Sequence, residues 1–175
     1  MLTLDPFALV VNMTAVAIFW LVGRFEEGIE LGKKTLELDP RFAPTHWALG
    51  WCYCDSRCYE AAAAELESAV QKSNGAAVYI AVLGYIHARA GKRDEALRVI
   101  AQLTELSRER YVMPFWFAMI HAALGNNDQA FHWLEEAYRD RSSWIVYSDL
   151  AKWLDPLRAD PRFERVRGWL SISTG

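Results

Sequence analysis

The segment GRFEEG, residues 23–28, decides the fold because variants of it return at a fixed spacing along the chain. RCYEAA begins at Arg57, GKRDEA at Gly91 and GNNDQA at Gly125, each 34 residues after the previous segment. Other columns recur at the same spacing, including one that contains Phe19, Tyr53, His87 and His121. Four units in phase, without an insertion, indicate a tandem repeat in which each unit packs on its neighbours.

Each unit is expected to form two helices that meet at the quoted segment. Glycine at the start of the segment suits the left-handed backbone that ends many helices, and Arg57 replaces this glycine in the second unit. An acidic residue then lies early in the second helix, where it suits the helix dipole. Two antiparallel helices are predicted to approach closely at a small residue of each unit, namely Gly28, Ala62, Ala96 and Ala130.

These residues, together with the Leu49-Gly50 pair and the LDP at 38–40, resemble the tetratricopeptide repeat, whose unit is 34 residues long. The resemblance implies an all-α, right-handed superhelical solenoid of four helix pairs. The implied repeats are 7–42, 43–76, 77–110 and 111–141, and residues 142–175 form a C-terminal cap. In that cap Phe163, Val166, Trp169 and Leu170 share one helical face, which suits a helix that shields the end of the array.

A narrower resemblance concerns the C-terminal third of the chain. The stretch from YVMPFW at 111–116 to DPLRADPRF at 155–163 is similar to the C-terminal tetratricopeptide region of large bacterial regulators. Those proteins join such repeats to a winged-helix domain, a nucleotide cyclase or a protein kinase. The start of the chain, MLTLDP, also repeats the pattern LELDP of 36–40, so we expect residues 1–6 to be the tail of a truncated preceding repeat in a longer array.

Composition excludes several classes of function and location. A net charge of −3 provides no basic surface, so direct nucleic-acid binding is disfavoured. The cysteines lie together within 52–58 and do not form a disulfide framework, which predicts a reducing, cytoplasmic location. The apolar stretch 7–22 follows no basic segment and is shorter than the roughly 20 residues of a membrane span, so a buried helix is predicted, without membrane insertion.

No residue pattern favours catalysis, and the sequence therefore predicts neither an enzyme nor a bound cofactor. Cys52, Cys54 and Cys58 could in principle hold a metal, but no second ligand cluster accompanies them, and a packing role is favoured. His87 and His121 occupy a column that holds an aromatic residue in the other units, so they too are predicted to pack.

The tetratricopeptide resemblance implies a concave groove, lined by the first helix of each unit, that holds a peptide or a helix. The implied groove residues are Trp20, Trp47, Trp51, Asp55, Tyr85, Arg89, Phe115 and Met119. The columns that form a Lys, Arg and Asn clamp for a peptide carboxylate in some relatives hold Met13, Ala17, Ala48, Val78 and Val82 here, so chaperone-tail binding is disfavoured. An aromatic and apolar groove with two polar anchors is therefore expected, unless it is filled internally or by a second copy.

The predicted function is a protein–protein interaction scaffold, part of a larger bacterial regulatory protein, that docks a peptide, a helix or a neighbouring domain. A self-association module and a sensor domain for a small apolar ligand are the alternatives. The helix over 7–22 is apolar on nearly every face, and only a short piece of its expected cover precedes it. A homodimer is therefore predicted through residues such as Leu9, Val16 and Trp20.

Overall fold

The computed structural model describes residues 6–147 and 152–171, and within those residues the regular structure is helical throughout. The α-helices are α1 (Pro6–Leu21), α2 (Phe25–Leu38), α3 (Ala43–Asp55), α4 (Tyr59–Lys72), α5 (Ala77–Arg89), α6 (Arg93–Leu106), α7 (Pro114–Ala123), α8 (Asn127–Arg139) and α9 (Phe163–Ser171). Two 3₁₀ helices, Ser143–Tyr147 and Lys152–Leu157, lie between α8 and α9. Consecutive helices pack on each other in pairs, as the all-α prediction requires.

The four turns at the quoted segments have one and the same backbone structure. The N–H groups of residues 24, 58, 92 and 126 each donate to the carbonyl five residues earlier, at 2.8 to 2.9 Å. The residue before each donor has a positive φ, +79° at Gly23, +63° at Arg57, +75° at Gly91 and +72° at Gly125. This is the Schellman arrangement that ends a helix, and Arg57 adopts it without the conformational freedom of glycine.

The 34-residue period of the sequence also sets where the helices begin. The second helices of the four units begin at Phe25, Tyr59, Arg93 and Asn127. The first helices α3 and α5 begin 34 residues apart, whereas α7 begins three residues later than that spacing requires, at Pro114. A proline is favoured at the first position of a helix because its missing N–H has no partner there in any case.

Small residues allow the helices of each pair to approach closely. Ala62, Ala96 and Ala130 have no exposed surface. A Cβ atom added to Gly28 would lie 2.8 Å from the sulfur of Cys52, and one added to Gly84 would lie 2.6 Å from a methyl carbon of Val99. The predicted close contact is therefore confirmed, and a larger side chain at these positions would force the helices apart.

The C-terminal helix covers the last helix pair as the sequence predicts. Phe163 and Val166 of α9 are buried in the main core, and Trp169 stacks on Tyr138 of α8 with ring centroids 4.5 Å apart. The side chain of Leu170 lies outside the described residues, as do residues 1–5 of the expected preceding repeat. Among the helices that the structure describes, none is both long and apolar enough to cross a bilayer.

Candidate functional site

Aromatic side chains from four helices meet where the sequence predicts a groove. This aromatic cluster consists of Trp20 of α1, Trp51 of α3, Tyr85 of α5, Phe115 of α7, and Trp144 and Trp153 of the C-terminal segment. Trp51 is central, with ring centroids 5.2 Å from Trp20, 5.4 Å from Tyr85 and 5.4 Å from Trp153. The 34-residue period places the helix residues together, and Trp153 reaches them from outside the repeats.

Trp153 covers the predicted groove. Its ring lies 6.0 Å from that of Phe115 and 6.1 Å from that of Trp20, and only 4% of the residue is exposed. Leu154 and Leu157, on the same 3₁₀ helix, are fully buried. The chain therefore fills this surface with its own C-terminal segment.

The prediction of an open groove is corrected by this burial. The exposed fraction is 2% for Trp51 and Tyr85, and it is zero for Phe115 and Met119, so these side chains are closed to a partner. Two other predicted groove residues, Trp20 and Trp47, are half-buried. The alternative in which the groove is filled internally describes the structure.

The two predicted polar anchors bind to the aromatic cluster itself. Trp20 Nε1 donates to Asp55 Oδ2 at 2.8 Å, and Arg89 Nη1 donates to the Tyr85 hydroxyl at 2.6 Å. Arg89 also lies 3.7 Å from the Asp55 carboxylate. Burial raises the pKa of Tyr85 above its ordinary value, so the phenol stays protonated and its oxygen accepts the guanidinium N–H. These contacts connect α1, α3 and α5 across the cluster.

Ring packing, rather than hydrogen bonding, joins Trp153 to the cluster. Among the described residues, the buried indole N–H groups of Trp51 and Trp153 meet no acceptor. Arg89 and Lys152 border a cleft of about 240 Å³ beside Trp153, which Asp155 also lines. This cleft carries charges of both signs and is not the apolar groove that the resemblance implies.

The cysteines and the two repeat histidines lie where packing explains them. Burial raises the pKa of Cys52 and of Cys54 to about 12, whereas Cys58 is exposed. Cys52 packs with Val16 and Ala48 in a small core between α1 and α3. Burial lowers the pKa of His87 and His121, which favours neutral rings at neutral pH.

The largest exposed apolar surface of the described residues lies on α1. Six of its side chains are between 48% and 79% exposed, namely Phe7, Val10, Val11, Ile18, Leu21 and Val22, the last of which directly follows the helix. We call the row formed by Phe7, Val11, Thr14, Ile18 and Leu21 the outer face of α1. Other large exposed apolar residues are dispersed over different elements, namely Leu38, Leu97, Tyr111 and Tyr138.

The residues predicted for self-association lie mostly on the opposite side of α1. Leu9 is 6% exposed and Val16 is fully buried, and Trp20 belongs to the aromatic cluster. The helix was predicted correctly as apolar on every side, but the face left open is a different one, because α2 and α3 pack against the side that carries Val16. No charged residue occurs in α1, so the open face has no polar rim within its own helix.

No family model, no curated protein and no solved structure matches this chain. The tetratricopeptide resemblance therefore depends on the repeated residues and on the equivalent turns.

Proposed function

We propose that this chain is a protein–protein interaction module of the tetratricopeptide type that contacts its partner through the outer face of α1. One observation carries the proposal: α1 exposes six large apolar side chains and contains no charged residue. Contiguous apolar patches of several hundred Å² are rare on isolated proteins and usually mark an interaction site. Burying such a patch removes apolar surface from water at about 25 cal/mol per Å².

The repeat structure supports the choice of a scaffold. Four equivalent helix-ending turns and the small residues between paired helices are what a tetratricopeptide array requires. The similarity of the C-terminal third to bacterial regulators supports a place within a larger cytoplasmic regulatory protein. In this proposal the repeats position a contact surface and carry no chemistry of their own.

The closed aromatic cluster supports the outer face by fixing α1 in place. On its inner side α1 contributes Trp20, which stacks on Trp51 at 5.2 Å and donates to Asp55 at 2.8 Å. A surface that is already held in its binding conformation loses less entropy when a partner docks. The concave side therefore acts as an internal anchor, and the opposite side of the same helix is the contact surface.

The clefts of the described residues do not favour the alternative of an apolar-ligand sensor. The cleft beside α6 is lined by Glu105, Glu109 and Arg110, and the one beside Trp153 by Arg89 and Lys152. Sites for small apolar molecules are usually enclosed and lined by apolar side chains.

Site-specific photo-crosslinking tests the proposed surface. A photoreactive phenylalanine analogue is placed at Ile18, on the outer face, and in a matched variant at Leu97, an exposed apolar residue of α6. The chain is produced in cells and irradiated, and its adducts are separated by mass. We expect adducts with polypeptide at position 18 and few at position 97. Equal or absent crosslinking at position 18 would contradict the proposal.

A further inference from the structure

We infer that the outer face of α1 docks on the same face of a second copy of this chain, as an antiparallel pair of α1 helices. The inference rests on the proposed function, in which this face is a contact surface, and it names the partner. Three observations carry it: the spacing of the residues, the absence of charge, and the exposed area.

The outer face has the spacing of a helix–helix seam. Phe7, Val11, Thr14, Ile18 and Leu21 are separated alternately by four and three residues. This is the heptad spacing with which one helix packs along another at a crossing angle of about 20°. Val11, Ile18 and Leu21 are each more than half exposed, so nothing else in the described chain occupies the seam at these positions.

A two-fold contact requires a surface that is complementary to itself. An uncharged face fulfils this condition because no side chain meets its own charge across the axis. In an antiparallel pair centred on Thr14, Val11 meets Ile18 of the second copy, and Phe7 meets its Leu21. The helix dipoles then oppose each other, which favours the antiparallel direction over the parallel one.

Thr14 suits the centre of such a seam. Its hydroxyl donates to the carbonyl of Val10 at 2.8 Å, so burial of the side chain introduces no unsatisfied donor. Its methyl group is free to contact Thr14 of the second copy. A threonine at the centre also allows a closer approach of the two helices than a leucine would.

The exposed area is of the size that a small stable dimer needs. The six exposed apolar residues of α1 together present about 600 Å², against roughly 800 Å² per partner in a standard interface. Residues that flank the seam, such as Ala8, add to that area. Obligate contacts between copies of one chain are also more apolar than other interfaces, as this face is.

Sedimentation of the purified full chain is the primary test, with far-UV circular dichroism to check that each variant is folded. We expect a species of twice the 20.0 kDa chain mass at micromolar concentration. Val11→Glu and Ile18→Lys are each expected to raise the dimer dissociation constant about 30-fold or more, because each buries an unpaired charge. Leu97→Lys, at an exposed apolar site on α6, is the matched control and should change nothing.

The double variant Val11→Glu with Ile18→Lys tests the direction of the pair. In the antiparallel pair the introduced carboxylate of one copy faces the introduced ammonium of the other, twice, so the double variant should dimerise better than either single variant. In a parallel pair like charges would face each other, and the double variant would dimerise worst. That result would overturn the inference.

A crosslinking variant keeps the inference testable if a charged variant fails to fold. Thr14→Cys in a Cys58→Ser background places one exposed thiol on the two-fold axis, since Cys52 and Cys54 are buried. A short bismaleimide should link two copies through it, and should not do so in the matched Ala101→Cys variant. Equal yields in the two variants would overturn the inference.

A monomeric chain at high micromolar concentration would also overturn the inference. The proposed function would survive that result if the photoreactive group at position 18 still captures a different polypeptide in the cell. Both proposals would fail if the chain is monomeric and position 18 captures nothing. A dimer that Leu97→Lys disrupts as strongly as Ile18→Lys would place the contact elsewhere and would overturn the inference alone.

Discussion

The two sides of α1 are both apolar, yet only one of them is covered. On the inner side Trp20 joins the aromatic cluster under Trp153, while on the outer side Val11 is 64% and Leu21 is 63% exposed. The cover of the inner side comes from a segment more than a hundred residues away that does not follow the repeat pattern. The comparison shows that an aromatic residue in a groove column is a contact residue only if no other part of the chain closes the groove.

Removing the cover should have the largest effect on stability. Trp153→Ala deletes a buried ring that contacts Trp51, Phe115 and Trp20, and such truncations typically cost about 3–5 kcal/mol of unfolding free energy. Urea denaturation gives the value. Leu97→Ala, on the exposed side of α6, is the control and should cost within about 0.5 kcal/mol.

The closed side of the comparison would be disproved by a small effect. If Trp153→Ala costs no more than the control, Trp153 does not close the concave surface in solution, and an open groove becomes the better description.

A smaller loss is expected where two paired helices meet. Ala96 is fully buried, and Ala96→Leu overpacks the contact between α5 and α6, which typically costs about 1–3 kcal/mol. Ala101→Leu makes the same change on the exposed side of the same helix and should be nearly neutral. Denaturation midpoints that fall equally for both variants would mean that the close approach at the repeat alanines is wrong.

Thiol reactivity compares the closed and open surfaces without changing stability. A pKa of about 12 keeps Cys54 protonated and unreactive at about pH 8, whereas the exposed Cys58, four residues later, is accessible. Iodoacetamide followed by mass spectrometry should label Cys58 in the folded protein, and Cys54 only after unfolding. Labelling of Cys54 as fast as Cys58 would show that the surface beneath Trp153 opens readily.

The sequence predicted the parts of the structure that depend on local spacing. The four turns, the helix starts at Phe25, Tyr59 and Arg93, and the buried alanine column follow from a period that can be counted along the chain. The left-handed turn at Arg57 was also predictable, because three equivalent positions hold glycine. Phe163 and Val166 of the cap follow from the spacing of one helix.

The parts that were missed depend on contacts between distant segments. Trp153 lies outside the repeats, so no column of the repeat showed that its ring covers Trp51. The open face of α1 could not be read from its pattern either, because the helix is apolar on every side and its buried side is chosen by α2 and α3. The single available signal was the four-three spacing of Val11, Thr14 and Ile18.

Hydroxyl-radical footprinting of the folded chain, read by mass spectrometry over a range of concentrations, tests the contrast between the two sides of α1 most directly. The structure predicts that Trp51 and Trp153 stay unmodified at every concentration, being 2% and 4% exposed. Leu21 and Val11 should be modified in dilute protein and become protected as the concentration rises. Modification of Trp51 and Trp153 at the rate of Leu21, in protein that remains fully helical, would contradict the account.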